Sequence, residues 1–232
     1  MKKVSILVFF LLILSPFVSY AQDATTDSRV DILWESTDSY APPFYKGKAL
    51  PSNEGGIRAV VISSIFTPKT TTFTWSRNGA SLSSFSGVNK NSMTFTHNIL
   101  NNTESLAVTL HTGGNISDAS ATADITPITP ALVAYEKRDG FVDYNNGYTD
   151  SFDLKYAGTT LRVEPYFFSI PKNVLSDLAI AFQLGDQTPT AINNFEIPIL
   201  KPSDSGSVQL SSSMQSTHSD WQSATLNTQI NF

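Results

Sequence analysis

The chain has no cysteine among its 232 residues. That rules out disulfide staples, thiolate metal sites and a lipid-modified cysteine. Charged side chains are sparse, at 15% of the chain, and acids outnumber bases by 20 to 15. An acidic balance argues against nucleic acid and against anionic lipid as partners, because both need clustered bases. Three histidines, His97, His111 and His218, stand apart without HxH or HExxH spacing, so zinc has no motif to occupy. His97 and His111 could approach each other across adjacent strands, although the polar face of a strand accounts for both. No serine lies in Gly-x-Ser-x-Gly, which leaves no nucleophile elbow. Glu164 and Glu196 are the notable strand-borne glutamates, and a sandwich without a groove would leave them as solvated faces, not as a glycosidase pair.

What is present begins with export. Lys2 and Lys3 precede the apolar run from Val4 to Leu14, and Ser19-Tyr20-Ala21 supplies the small residues that a signal peptidase reads. Residues 1–21 are therefore expected to be a cleaved signal peptide of bacterial type, and residues 22–28 a polar lead-in. The run is short for a spanning helix, which needs about 20 residues; retention as an N-terminal anchor is the alternative and the only route to membrane contact. Cleavage removes two lysines, leaving 13 bases against 20 acids and a net charge of −7. Without disulfides, stability has to come from burial, and about 210 mature residues suffice for one large or two ordinary domains.

The stretch Thr72-Phe73-Thr74-Trp75-Ser76-Arg77-Asn78-Gly79 alternates apolar and polar side chains and closes on Asn-Gly, a strong hairpin signal. It predicts a central strand with Trp75 pinning a core. Further runs start at Val30, Ile57, Ser92, Ser105 and Ala119, with turn residues between them, which is the spacing of a β-sandwich. Residues 38–51, with Pro42-Pro43, read as irregular or edge-like. The second half repeats the first. Val30-Asp31-Ile32-Leu33-Trp34 matches Ala131-Leu132-Val133-Ala134-Tyr135 at an offset of 101, and Trp75 matches Phe182 at 107. Thr67-Pro68-Lys69 matches Ile170-Pro171-Lys172 at 103, Ser117-Asp118 matches Ser219-Asp220 at 102, and Ser120-Ala121-Thr122 matches Ser223-Ala224-Thr225 at 103. Five segments in one order predict two tandem domains, residues 29–127 and 128–232. Trp75, Phe182, Trp34 and Tyr135 are their expected core rings, and the Pro127-Ile128-Thr129-Pro130 linker should make the pair a semi-rigid rod.

Phe73-x-Trp75-x-x-Asn78-Gly79, followed by Leu106-Ala107-Val108-Thr109-Leu110, resembles the bacterial immunoglobulin-like and PKD-like modules of surface proteins. The PKD glycine-aspartate-glycine turn is absent from the first half, and Gly185-Asp186 is what remains of it in the second. The resemblance implies an all-β chain of two tandem immunoglobulin-like sandwiches, acting as spacers, stalks or adhesive units without chemistry of their own.

One segment is rich in oxygen ligands. Asp139, Asp143, Asn145 and Asp150 could hold calcium, but the run is one residue short of the EF-hand loop and lacks its bidentate glutamate. Ordinary turn chemistry explains the Asp-Gly and Asn-Gly pairs more simply. Tyr144 and Tyr148 could stack on a glycan, as could Tyr40, Phe44 and Tyr45 in their loop, whereas Trp34, Trp75 and Trp221 fit the core or the domain interface better. The alternating Thr225-Leu226-Asn227-Thr228-Gln229-Ile230-Asn231-Phe232 ending resembles the last strand of an outer-membrane barrel; two-faced apolar strands and recurrent proline favour the sandwich. The expectation is therefore a secreted or cell-surface, non-enzymatic protein without a cofactor, calcium apart. Its partners would be other envelope or appendage proteins, or glycans, and polysaccharide binding through loop aromatics is the alternative.

Overall fold

A computed structural model describes residues 30–113, 118–154, 156, 158–191, 195–201 and 205–232. The expected signal peptide, the lead-in and Ser117 lie outside the described residues. The first half forms β1 (Val30–Ser36), β2 (Gly56–Ser63), β3 (Thr72–Arg77), β4 (Ala80–Ser81), β5 (Gly87–Val88), β6 (Ser92–Thr96), β7 (Glu104–His111) and β8 (Ala119–Ile125). The second forms β9 (Ala131–Arg138), β10 (Phe141–Tyr148), β11 (Ser151–Asp153), β12 (Gly158–Tyr166), β13 (Leu178–Leu184), β14 (Glu196–Leu200), β15 (Ser207–Ser216) and β16 (Ser223–Asn231). Between β12 and β13 lie two single 3₁₀ turns, Pro171–Asn173 and Leu175–Asp177.

The protein is all-β, two immunoglobulin-like sandwiches in tandem. In the first, a sheet ordered β1-β2-β6 faces one ordered β4-β3-β7-β8, with β5 also on β3. In the second, β10-β9-β12-β14 faces β11-β16-β15-β13. Side chains at every second position turn inward, as the two-residue period of a strand requires. Leu106, Val108 and Leu110 of β7 do so in the first half, and Leu210 and Met214 of β15 in the second. Each half encloses its own core. Trp75 is buried in one, with its indole N–H on the Lys90 carbonyl at 2.8 Å, and Phe182 in the other. Asn78-Gly79 and Asp139-Gly140 both lie at positive φ as two-residue hairpin turns, which only such pairs reach cheaply.

The repeat has a different register from the one that Trp34 and Tyr135 suggest. Inward-facing Ile32 pairs with Val61, and inward-facing Ala134 pairs with Val163, so both strands align at an offset of 102. A one-residue slip exchanges the faces of a strand. Trp34 accordingly turns toward the first core and lies half-buried under the Lys48 ammonium, 3.1 Å from its ring centre. Tyr135 turns outward, into a separate aromatic cluster.

Candidate functional site

Residues 37–55, between β1 and β2, leave the first sandwich and lie on the second. The Tyr40 N–H donates to the Phe168 carbonyl at 2.7 Å, and the Phe167 and Ile170 amides donate to the carbonyls of Tyr40 (2.7 Å) and Asp38 (2.8 Å). This short ladder continues β12 past its pairing with β9. Asp38 fixes the crossing point: one carboxylate oxygen accepts from the Gly56 amide at 2.9 Å and the other from the Ser169 hydroxyl at 2.7 Å. Phe167 sits at φ +63, a left-handed conformation that costs a bulky residue on the order of 1–3 kcal/mol and persists only where its surroundings enforce it.

Prolines 42, 43 and 51 keep the rest of the segment out of any regular strand, and its rings pack instead. Phe44 stacks on Tyr144, with centroids 3.6 Å apart, and meets Tyr135 edge-on at 5.6 Å. Tyr45 meets Tyr166 and Phe167 edge-on. Beneath them the Tyr135 and Tyr166 hydroxyls are 2.6 Å apart. Burial, then the Tyr135 hydroxyl, pushes Tyr166 far above the usual phenol range; burial, then Glu164, pushes Tyr40 up to about 12.

Beside the rings runs a line of charges. Arg162 donates through Nε to Glu164 and through a terminal nitrogen to Glu196 at 3.0 Å, while Lys137 reaches both Glu196 oxygens at 2.9 Å. Glu164 also accepts from the Tyr144 hydroxyl at 3.2 Å. The two glutamates are 2% and 4% exposed, so the expectation of solvated faces is overturned. Pairing with Arg162 and Lys137 makes their burial tolerable. Burial opposes ionisation of Glu196, but Lys137 and Arg162 outweigh it and hold its carboxyl below the usual range. Both carboxylates are engaged by cations.

The far end of the loop is tied to the turn between β15 and β16. Buried Gln222 accepts from the Ser52 hydroxyl at 2.9 Å and the Ser169 amide at 3.0 Å, and donates to the Asn53 carbonyl; Ser219 donates to Glu54. The Pro51 carbonyl accepts from linker residue Ile128 at 2.8 Å. The arrangement is a brace that fixes one domain against the other.

The sequence-predicted residues are dispersed around this brace. Asp139 is in the β9–β10 turn; Asp143 lies on β10, accepting from the Asn145 amide and the Asn146 side chain; Asp150 follows the strand. Among the described residues, no three His, Asp or Glu side chains are gathered so as to hold a metal. Tyr144 and Tyr148 occupy a strand, not a loop, and opposite faces of it. Tyr144 is covered by Phe44, and Tyr148 packs edge-on against inward-facing Phe152 at 4.6 Å, so the two rings form no common sugar platform. Trp221, expected in the core or at the domain interface, is 59% exposed.

His97 and His111 are in opposite sheets, not adjacent strands: His111 bridges Asp118 and Thr74, while His97 is buried with neither ring nitrogen hydrogen-bonded. Close to His97, sequence reading missed Glu104 altogether. This carboxylate is fully buried and holds Arg77 at both oxygens (2.5 and 2.8 Å), with Asn78, Asn101 and the Asn98 amide completing its shell. Among the described residues, no helix is long and apolar enough to cross a membrane.

No protein-family model matches the chain, and no curated protein resembles it in sequence. Solved structures share its general architecture. The three N-terminal domains of the bacteriophage RB49 outer capsid protein Hoc are 12% identical, at a TM-score of 0.45, over 88% of this chain and 59% of that one. The fibronectin(III)-like modules of Clostridium thermocellum CbhA are 6% identical, at 0.31, over 86% and 93%. The SGBP-B protein of a Bacteroides ovatus mixed-linkage glucan locus, in complex with a heptasaccharide, is 14% identical, at 0.25, over 84% and 47%. The chain thus spans about three-fifths of the Hoc fragment. Likenesses this distant carry no functional argument, and the fold rests on the strand pairing given above.

Proposed function

We propose that the chain is an exported, non-enzymatic structural or adhesive module of a bacterial envelope or appendage assembly, working as a fixed pair of sandwiches. The observation that supports this reading is the brace of residues 37–55. Two domains joined by four linker residues would otherwise swing; here a whole loop, six packed rings and a buried glutamine hold one orientation. Rigidity of that kind suits a part that transmits position or load. The buried carboxylates support the same reading, since each is paired with a cation, leaving neither in place to act on a substrate. The test is affinity capture with the mature chain on intact envelopes, against a chain carrying Phe44→Ala and Tyr45→Ala. Recovery of envelope proteins by the first and much less by the second is the expected result. Equal recovery, or none from either, would overturn the reading.

A further inference from the structure

Among the described residues, the two sandwiches leave opposite edges of corresponding sheets open. In the first, β3 is covered on its outer side by β4 and β5, and the sheet ends at β8. In the second, β11 runs parallel to β16 and closes that edge, and the sheet ends at β13. Of the other sheet ends, β4 and β11 are two and three residues long, β14 holds Pro198 at its centre, β10 is bulged between Val142 and Gly147, and β6 has five residues; β1, seven residues with none of these features, is the edge of the facing sheet of the first sandwich. β8 and β13 each run seven residues with no proline, lysine or bulge.

Backbone alternation shows which groups face outward. The Asn78 amide donates to the Ser105 carbonyl, so odd-numbered residues of β7 bond to β3 and even-numbered ones to β8. That leaves Ser120, Thr122 and Asp124 presenting their amides and carbonyls at the free side of β8. On β13, Gly185 bonds to Gln209 of β15, while Leu184 turns outward to Gln187, which leaves Leu178, Ile180 and Phe182 at the free side.

We propose that copies of the chain join head to tail, β8 of one beside β13 of the next, in parallel. Only parallel pairing lets these alternating groups bond while both sheets keep their inner faces on the same side. The chain already closes the corresponding edge of its second sandwich in this way, with β11 parallel to β16. Matched end to end, the strands set Ala119, Ala121 and Ala123 beside Leu178, Ile180 and Phe182, small against large along the inner seam. β8 against itself would oppose alanine to alanine, and β13 against itself would crowd three large side chains. Asp118 and Asp177 meet where the ladder begins, and each already carries a histidine, His111 at 2.6 Å and His218 at 3.2 Å. Because the two edges differ, the contact does not close on itself and repeats into a filament or a ring. This inference rests on reading the chain as part of an assembly and names a second copy as the partner.

Sedimentation velocity and negative-stain microscopy of the mature chain test it. The wild type is expected to form species that lengthen with concentration. Thr122→Pro removes one outward amide of β8, and Ile180→Pro one of β13; each variant alone is expected to be monomeric, and an equimolar mixture to give dimers that grow no further. Thr122→Lys and Ala181→Lys are the substitutes if either proline lowers the melting temperature. A wild type that stays monomeric at every concentration overturns the inference, as does a single variant that still dimerises. Envelope capture is unaffected by either failure, so the two readings fall separately.

Discussion

The same nineteen residues' worth of chain separates β1 from β2 and β9 from β12, residues 37–55 in one half and 139–157 in the other, and the two do opposite things. The second stretch stays at home. It turns at Asp139-Gly140, adds β10 to one sheet and β11 to the other, and contains no proline. The first has three prolines, adds no strand to its own sandwich, and carries Tyr40, Phe44 and Tyr45 to the neighbouring domain. A duplicated fold can therefore convert a self-completing connection into an inter-domain brace by exchanging strand residues for prolines and rings, with no change in length. The difference also explains β12. Its outer face would be polar in a free sandwich; under the loop, Glu164 and Tyr166 are buried there, and most of the strand reads as apolar or enclosed on both sides.

The largest expected effect tests whether the halves are separate cores. Trp75→Ala should cost about 3–5 kcal/mol, the usual loss for a fully buried large ring, and only in the first sandwich. Two unfolding transitions in denaturant, one of them unmoved, would bear this out; a common shift of both would show a single cooperative unit.

Next comes acid. In the first sandwich, burial pushes the Glu104 carboxyl up, but Arg77 and three asparagines outweigh it and hold it at about 2. Its contribution is complete above the free value of 4.5 and lost as pH falls toward 2. His97 is shifted down, by burial first and by Arg77, with Glu104 opposing. Its neutral form is favoured on folding, so the stability it confers is complete above pH 6.5 and declines below. The second sandwich has Glu196 held low but no buried histidine among the described residues. Amide resonances of the first domain should therefore weaken near pH 6 and those of the second only at carboxylate pH. Glu104→Gln should remove about 2–3 kcal/mol from the first domain alone at neutral pH.

Most of the architecture was legible, because strand periodicity and turn pairs are local signals. Trp75 and Asn78-Gly79 announced their strand, and the matched segments pointed to two tandem sandwiches. The register of the first strand was not, since which face a strand buries depends on its partners. The candidate site was hardest to see for the same reason. Nothing in Pro42-Pro43-Phe44-Tyr45 says which surface it will cover, and Gln222 is an ordinary polar residue until Ser52, Asn53 and Ser169 converge on it. Only the alternation of Arg162 and Glu164 on one face of a strand hinted at the charge line.

Smaller effects sharpen the brace itself. Phe44→Ala with Tyr45→Ala should cost about 1–3 kcal/mol through lost ring burial and edge contacts, and should broaden the inter-domain distance distribution seen by small-angle scattering. Gln222→Ala should cost about 1 kcal/mol, leaving three donors or acceptors to find water, and should speed proteolysis within residues 41–50 without unfolding either sandwich.

The glutamine that locks the brace is ten residues from the end of the chain, and the loop that it locks is near the beginning. In a chain emerging amino end first, the rings of residues 40–45 stay uncovered until β9, β10 and β12 have folded beneath them, and the glutamine ties down the far end of the loop later still. A copy cut short before those strands would fold its first sandwich and still display a greasy tab, so the loop signals that its neighbouring sandwich is not yet in place.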